Sequence, residues 1–354
     1  MGLTATNYKP DFRIYANKSD ISAPVVDRLV ELRYTDEAGM ESDVLEITLA
    51  DHDPLNPIQV PPTGAELELF LGYEGNAQRI GMFVCDEVEM AGPPNEMTIR
   101  ARAAPFDLSK GGLTALQTQK TRSWPKDTKL GDMVAKIAKE HGMESAVAES
   151  LAAIVLPHID QADESDLHFL GRVAKKYDAI VKPAAGKMVL AKVGSAKTVS
   201  GLSLPVITLA PGDVSRFRVV MSKRETAGMV VAYWHAVKNA KRHEVKVGSG
   251  EPVRRLKMYY PTAEMALAAA RSELDRRERR KVTVSITLPG RVDLVAEGRV
   301  ILAGFRDGVD GEWSITRAEH AIGGGGYITT VEAEQPNDAT VPDVEDVAPS
   351  NETP

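Results

Sequence analysis

Period-two alternation of apolar and polar residues, recurring in short runs broken by Gly and Pro, constrains this chain more than anything else in it. In Asp43-Val44-Leu45-Glu46-Ile47-Thr48-Leu49 the residues Leu45, Ile47 and Leu49 fall on one face. Glu66-Leu67-Glu68-Leu69-Phe70-Leu71 repeats this, with Leu67, Leu69 and Leu71 inward and Glu66 and Glu68 outward. Met97-Thr98-Ile99-Arg100-Ala101-Arg102-Ala103 does so again with its arginines on the wet face. Side chains change face at every residue of a strand, so such runs specify half-buried strands. Between them lie Asp51-His52-Asp53-Pro54, Pro61-Pro62-Thr63-Gly64 and Ala91-Gly92-Pro93-Pro94-Asn95, all turn chemistry. Short strands joined this way indicate a barrel or sandwich over residues 1–108, with no helix expected before residue 105.

The period then changes. Leu130, Met133, Val134, Ile137 and Ala138 fall at helical spacing, with Thr128 as the expected N-cap and Gly142 as the stop. A second helix is expected to start at Ser165, with Asp166 favouring its first turn and Leu167, Leu170, Val173 and Ala174 buried. Short strands around 179–182 and 187–193 make this middle region α+β. Residues 206–235 and 282–334 return to strands, Val230–Trp234 and Lys281–Leu288 being the clearest. Between them a long helix is expected from about Thr262 to Arg280, packing Met265, Leu267, Ala268 and Leu274. Its arginines from Arg271 to Arg280 should cover the exposed side, with Glu273/Arg277 and Asp275/Arg279 as i,i+4 pairs. The expected fold class is therefore α+β and β-rich. Two β-barrel or sandwich domains, 1–108 and 206–235 plus 282–335, flank an α+β middle domain of 109–205 plus 236–281, whose helical insertion interrupts the second. The acidic, Pro-punctuated stretch 336–354 reads as a disordered tail.

Composition narrows the function classes. The 354 residues are 43% hydrophobic and 26% charged, an ordinary globular mixture. The lone Cys85 makes neither an internal disulfide nor a cysteine-rich metal site. Neither a secretory signal nor an apolar run of about 18 residues is present, so a soluble chain made in a reducing compartment, with no membrane insertion, is expected. The net charge of −7 is polarised: residues 1–108 hold 8 basic and 19 acidic residues (−11), 336–354 hold 5 acidic and no basic (−5), and the body between them carries +9. Such polarity suits assembly with partners rather than simple DNA binding.

Catalytic chemistry is not specified. His52 between Asp51 and Asp53, and the pair His158/Asp160, each supply too few ligands at local spacing for a metal, and are expected to be a polar turn and a strand-end pair. Gly323-Gly324-Gly325-Gly326 has no following Lys-Ser/Thr, so it reads as a hairpin tip rather than a phosphate loop. Asp86, Glu87 and Glu89 alternate along a strand beside Val88 as a solvated face. The basic clusters Lys238–Lys246 and Arg271–Lys281 lack interleaved aromatics for stacking bases, and Glu273, Asp275 and Glu278 neutralise much of the second. The expectation is no enzyme, no catalytic residue, no metal and no cofactor. One competing reading is a peptidoglycan-binding or cell-wall-degrading protein, with Thr128–Ala138 as the first helix of a LysM-like segment near 128–142.

Several ordered segments resemble the late control gene D proteins, the baseplate hubs of contractile-tailed phages, which are related to the hub part of type VI secretion VgrG spikes. They are Thr121-Arg122-Ser123-Trp124-Pro125 running into the helix from Leu130; His158-Ile159-Asp160-Gln161 through Asp166-Leu167-His168-Phe169-Leu170; Ala303–Trp313; and Gly326-Tyr327 with Glu332-Ala333-Glu334. The likeness covers about residues 10–335. It implies a homotrimer in which each subunit contributes two tube-like β domains to a pseudo-hexameric ring, adapting the six-fold tail tube to the three-fold central spike. The implied partners are the spike and tail tube proteins, with wedge and tape measure proteins in reach, and DNA passing non-specifically through the lumen. The implied location is the virion tail, after assembly in the host cytoplasm. Acidic residues of 1–108, Glu66, Glu68 and Glu74 among them, are expected to line part of that lumen.

Overall fold

The computed structural model describes residues 9–39, 42–103, 116, 118–184, 187–193, 206–222, 228–236 and 241–336. The tail expected at 336–354 lies outside them, except for its first residue. The early alternating runs form β1 (Pro10–Ala16), β2 (Ser19–Asp20), β3 (Leu29–Glu37), β4 (Val44–Ala50), β5 (Glu66–Tyr73), β6 (Gln78–Ala91) and β7 (Glu96–Ala103). They pair antiparallel in the order β3-β4-β7-β6-β5-β1-β2. Leu45, Ile47, Leu67, Leu69, Leu71, Met97 and Ala101 meet Ile14, Leu32 and Phe83 in one core. Each large side chain buried there contributes roughly 1.5–3 kcal/mol. Contrary to the expectation, a helix does precede residue 105: Ser22–Val26, which seats Val25 in that core. Five residues are too few to imprint a helical period on the sequence.

The middle region holds β8 (Gln119–Trp124), β9 (Glu144–Val147), β10 (Ile159–Ser165), β11 (Ala179–Ala184) and β12 (Lys187–Lys192). β8 pairs with β10, and β12 lies between β11 and β9. The helices Leu130–Glu140 and Asp166–Ala174 bury Met133, Val134, Ile137, Phe169, Leu170 and Val173 against Trp124 in a second core. The apolar face of the LysM-like segment is thus spent on the interior. Ser165 caps its helix as expected, accepting from the His168 N–H at 3.2 Å. Thr128 does not: its hydroxyl donates to the Pro125 carbonyl at 2.7 Å, and Lys129 takes the N-cap position.

The late strands are β13 (Val206–Leu209), β14 (Arg216–Met221), β15 (Met229–Ala236), β16 (Lys241–Gly248), β17 (Val253–Tyr260), β18 (Val282–Pro289), β19 (Arg299–Leu302), β20 (Gly311–Gly323) and β21 (Gly326–Glu334). Six of them hydrogen-bond in the order β14-β18-β21-β20-β19-β13. The other three form a separate sheet, β16-β15-β17, against the helix Ala263–Arg279, with Val230, Ala232, Ala266 and Ala270 as its core. Val230–Trp234, expected in the second β domain, therefore belongs to the insertion instead. Alternation states which face of a strand is buried but not which strand lies beside it.

The two β units share one topology, a duplication the sequence conceals. Strand for strand, β3-β4-β7-β6-β5-β1 corresponds to β14-β18-β21-β20-β19-β13. Each long hairpin carries one register shift, between Cys85 and Glu87 in β6 and between Ile315 and Arg317 in β20. Two residues before Cys85 and Ile315 stand Phe83 and Trp313, both buried. A threonine pair bridges each central ladder, Thr48/Thr98 at 3.2 Å and Thr287/Thr330 at 3.5 Å. One pairing differs: β1 meets β5 antiparallel, whereas β13 meets β19 parallel.

The units are also joined. β20 is long: Gly311–Ser314 pair with β19, and Arg317–Gly323 then run antiparallel beside β3, from Arg317↔Glu37 to Gly323↔Glu31. One 13-stranded sheet results. Gly323 suits this seam, because a Cβ there would crowd the Val30 carbonyl oxygen at 3.1 Å. Gly326, at φ +88°, makes the hairpin turn.

Arg279 ties three regions together. It was expected on the exposed side of its helix, paired with Asp275, but it is 4% exposed. It grips both oxygens of Asp178 at 2.6 and 2.7 Å, and its Nε–H donates to Glu334 at 2.9 Å. The Glu273/Arg277 pair does form, at 2.7 Å. Removing one member of a buried ion cluster leaves the others uncompensated. Arg279→Ala is expected to lower the unfolding free energy by about 3–5 kcal/mol, whereas Lys281→Ala on the exposed surface should change it by less than about 0.5 kcal/mol; chemical denaturation reads both.

Candidate functional site

Residues directly opposite one another in a ladder share a face, so registers alone trace what the joined sheet presents away from its core. Glu87, Arg100, Glu46 and Arg33 stand opposite in turn across β6, β7, β4 and β3. Arg218, Ser285, Glu332, Arg317 and Glu37 do the same across β14, β18, β21, β20 and β3. The face is polar from one unit to the other. Arg100 contacts Glu46 and Glu87 at 2.8 Å and Glu89 at 3.1 Å. Across the seam, Arg317 reaches Glu37 at 2.9 Å and Arg33 reaches Glu319 at 3.7 Å. Arg33, Arg100 and Arg317 thus each face carboxylates, leaving little net field around them. Such a surface is wetted and charged but offers no anion a concentrated site.

Of the residues expected in a lumen, Glu66 and Glu68 lie on the outward side of β5, opposite buried Leu67 and Leu69. Glu74 follows β5. Glu68 pairs with Arg79 at 2.5 Å and Glu74 with Lys9 at 3.2 Å. The acidic excess of this unit is therefore partly answered locally.

Beneath the seam lie charged groups that no local pattern connects. Lys182 on β11 reaches Asp43 at 2.8 Å and Asp36 at 3.7 Å. Asp36 also accepts from the Ala296 N–H at 2.9 Å, and Glu297 accepts from the Gly39 N–H at 3.3 Å. The first unit, the middle region and the second unit converge on this one lysine. Burial and then the Asp43 charge push the Asp36 carboxyl up to about 7, against the pull of Lys182. Burial raises Glu297 as well. Nearby, His320 on β20 stacks on Tyr34 of β3 with ring centroids 5.6 Å apart. Its Nε2–H donates to the Leu294 carbonyl at 3.2 Å, while the Tyr327 and Thr329 hydroxyls lie 3.0 and 3.1 Å from Nδ1, whose single lone pair takes the proton of one of them. Burial holds its pKa down to about 4, so the ring is neutral.

Two of the segments that carried the resemblance, those of Arg122 and of Gln161 to Asp166, meet around Asp166. This fully buried carboxylate accepts from Lys120 and Arg122 at 2.6 Å each, His141 at 2.7 Å and Gln161 at 2.9 Å. Burial alone would raise its pKa, but the hydrogen bonds from Lys120, Gln161 and His141 outweigh it and hold it low. The residues that looked like a motif are the parts of a structural knot. It pins β8, β10 and two helices.

Other sequence candidates prove structural. Asp51 accepts from Ile58 at 2.9 Å and Asp53 from Leu55 at 3.0 Å, so the carboxylates flanking His52 are used within their turn. Ser123 joins His158 and Asp160: its hydroxyl lies 2.7 Å from His158 Nε2 and donates to Asp160 at 2.5 Å. A nucleophilic triad needs the carboxylate on the far ring nitrogen, orienting the imidazole. Here Asp160 takes the serine proton itself, and the histidine and aspartate are more than half exposed. The cluster decorates a β ladder. Lys238 of the first basic cluster lies outside the described residues, but the insertion brings aromatics beside the cluster's Arg242, which sits 4.8 Å over Tyr233, itself 6.0 Å from Tyr259. Only strand pairing could bring these residues together.

The Asp36 carboxyl gives a pH prediction. A raised folded-state pKa means stability that is complete below the ordinary aspartate value of about 3.9 and lost as pH rises through about 7. Asp36→Asn should therefore unfold at a higher temperature than the parent at pH 8, and at the same temperature near pH 3.5. Lys182 keeps Asp43, and the amide oxygen still accepts from Ala296. Thermal scans at the two pH values decide it.

Comparison with known proteins agrees with this arrangement. The phage tail baseplate hub (GPD) family matches residues 42–326. A probable baseplate hub protein of Escherichia phage 186 is 34% identical, over 93% of this chain and 94% of that protein. The 43 kDa tail protein of prophage MuSo2 from Shewanella oneidensis superposes with a TM-score of 0.68 at 13% identity, covering 92% of this chain and 98% of that one. An Escherichia coli component of the type VI secretion system gives a TM-score of 0.52 at 11% identity, covering 88% and 74%. At such identities the structures speak for the fold alone, which is β-rich and of the tail-protein kind. The profile match and the phage relative go further: this chain belongs to the phage tail baseplate hub family, as a structural component of the virion tail.

Proposed function

We propose that this hub works as a homotrimer, made in the host cytoplasm, that adapts a six-fold tail tube to a three-fold central spike. The observation that carries the reading is the pair of like β units joined edge to edge in one sheet. Three such chains present six similar units in a ring, matching a six-fold partner, and three middle regions, matching a three-fold one. The units 1–108 and 206–335, without the insertion, are then the tube-like domains. Tube and spike proteins are the direct partners, with wedge and tape measure proteins around them. The work is mechanical: the hub closes the tube, holds the spike, and leaves a passage when the sheath contracts. It needs no catalytic group.

The polar face lines the passage in this reading. Arg33, Arg100 and Arg317 there are matched by carboxylates, and the acidic excess of residues 1–108 lets DNA slide without counterion release holding it. Coexpressed with its spike, the full chain is expected to give particles containing three copies of the 38.3 kDa subunit. Native mass spectrometry reads the number, and two or six copies would end the three-fold reading. Tails carrying Glu66→Lys, Glu68→Lys and Glu74→Lys together should eject DNA about tenfold more slowly at low salt, with the defect shrinking as salt rises. Unchanged ejection kinetics would remove these residues from the lumen.

A further inference from the structure

The duplication leaves two strand edges without the neighbours their counterparts have. In the first unit β3 takes β20 along its outer edge; its counterpart β14 pairs only with β18 among the described residues. In the second unit Arg317–Gly323 of β20 take β3. The counterpart stretch of β6, from Glu87 to Ala91, pairs only with β7 among the described residues, because the ladder with β5 ends at the pair Glu66↔Val84. Both edges show apolar side chains to solvent: Met90 is 65% exposed, Met221 63% and Phe217 44%. An open edge with apolar residues is a template for another strand.

We propose that β14 of one copy pairs antiparallel with Glu87–Ala91 of the next copy, repeating between chains the ladder that β3 and β20 make within one. This rests on the ring reading above and adds which edges meet, and in what register. The hairpin bulges align Glu87 with Arg317, hence Val88 with Ala318, Glu89 with Glu319, Met90 with His320 and Ala91 with Ala321. The ladders to β4 and β18 align Arg218 with Arg33, Val219 with Tyr34, Val220 with Thr35 and Met221 with Asp36. The seam pairs Ala318 with Asp36, Glu319 with Thr35, His320 with Tyr34 and Ala321 with Arg33. The contact between copies is therefore Val88 opposite Met221, Glu89 opposite Val220, Met90 opposite Val219 and Ala91 opposite Arg218.

Charge and shape both fit this register. The diagonal pair Arg33/Glu319 that bridges the seam has Arg218/Glu89 as its counterpart, again of opposite sign. The β6 edge carries Asp86, Glu87 and Glu89, and the β14 edge carries Arg216 and Arg218. On the other face Met90 takes the place of His320 and Val219 that of Tyr34, so Met90, Met221 and Phe217 are covered together. The two edges lie on different β units, so the contact is head-to-tail and can propagate around a ring.

Cysteine cross-linking in the full chain tests the register. Cys85→Ala removes the native thiol, and Glu89→Cys with Val220→Cys places cysteines opposite one another. Directly opposed Cα atoms lie about 4.5–5.5 Å apart, inside the disulfide range, whereas the diagonal Glu89→Cys/Arg218→Cys lies at about 7–8 Å, outside it. Mild oxidation of the purified trimer, and of assembled tails, is expected to give covalent dimers and trimers with the first pair and monomers with the second. Mixing the two single-cysteine chains should give dimers only, and neither alone should link. As a check that does not depend on oxidation, Arg218→Glu should weaken self-association about tenfold and added Glu89→Arg should restore it. A particle of three-fold mass that does not link at 89/220, or links equally at 89/218, overturns this contact while leaving the hub reading intact. A chain that never forms such a particle overturns both.

Discussion

Everything in this protein depends on what is done with the hydrogen bonds along its sheet edges. A strand edge presents a row of unpaired N–H and C=O groups, and β20 meets the problem by outrunning its own unit. After Ser314 its backbone finds β3 instead of β19. That one ladder turns two β units into a continuous sheet. It sets their relative orientation and brings Asp36, Lys182 and Glu297 close enough to share a buried site. It also accounts for the fit of Gly323, where a Cβ would crowd the Val30 carbonyl at 3.1 Å.

The buried charges serve this joint. Asp36, Asp43 and Lys182 draw the middle region onto the seam, Arg279 locks the inserted helix to Asp178 and Glu334, and Asp166 knots the middle region internally. Buried ion clusters contribute little net stability compared with apolar packing of the same volume, yet breaking one is costly. They therefore act chiefly as specification: each can be satisfied in one arrangement of the units and in few others. A structural part of a tail baseplate depends on that kind of fixed geometry.

Duplication accounts for what is left over. Two copies of one topology have two equivalent pairs of edges, and one chain can join only one pair. The remaining pair is acidic on one side and basic on the other, which gives physical content to the polarity of the chain. In the proposed contact, Glu87 and Glu89 from the −11 of residues 1–108 would face Arg216 and Arg218 from the +9 of the body. The same composition without this topology would say only that the protein is polarised.

The sequence by itself determined the local layer. Leu45, Ile47 and Leu49 specified a strand and its buried side, Ser165 and Thr262 specified helix starts, and both caps are made. These are contacts within a few residues, where period and side-chain chemistry act directly. It also carried the resemblance, because the knot around Asp166 leaves Arg122, Gln161 and Asp166 in recognisable segments even though the sequence cannot say that they touch. Only tertiary structure decided that Val230–Trp234 leaves the second unit, that Arg279 turns inward, that β20 crosses to β3, and that the two units are copies. Each depends on backbone pairing or ion contacts between residues from tens to hundreds of positions apart. Alternation fixes the face of a strand and is silent about its neighbour, so the assembly surface emerges only when the strands are paired.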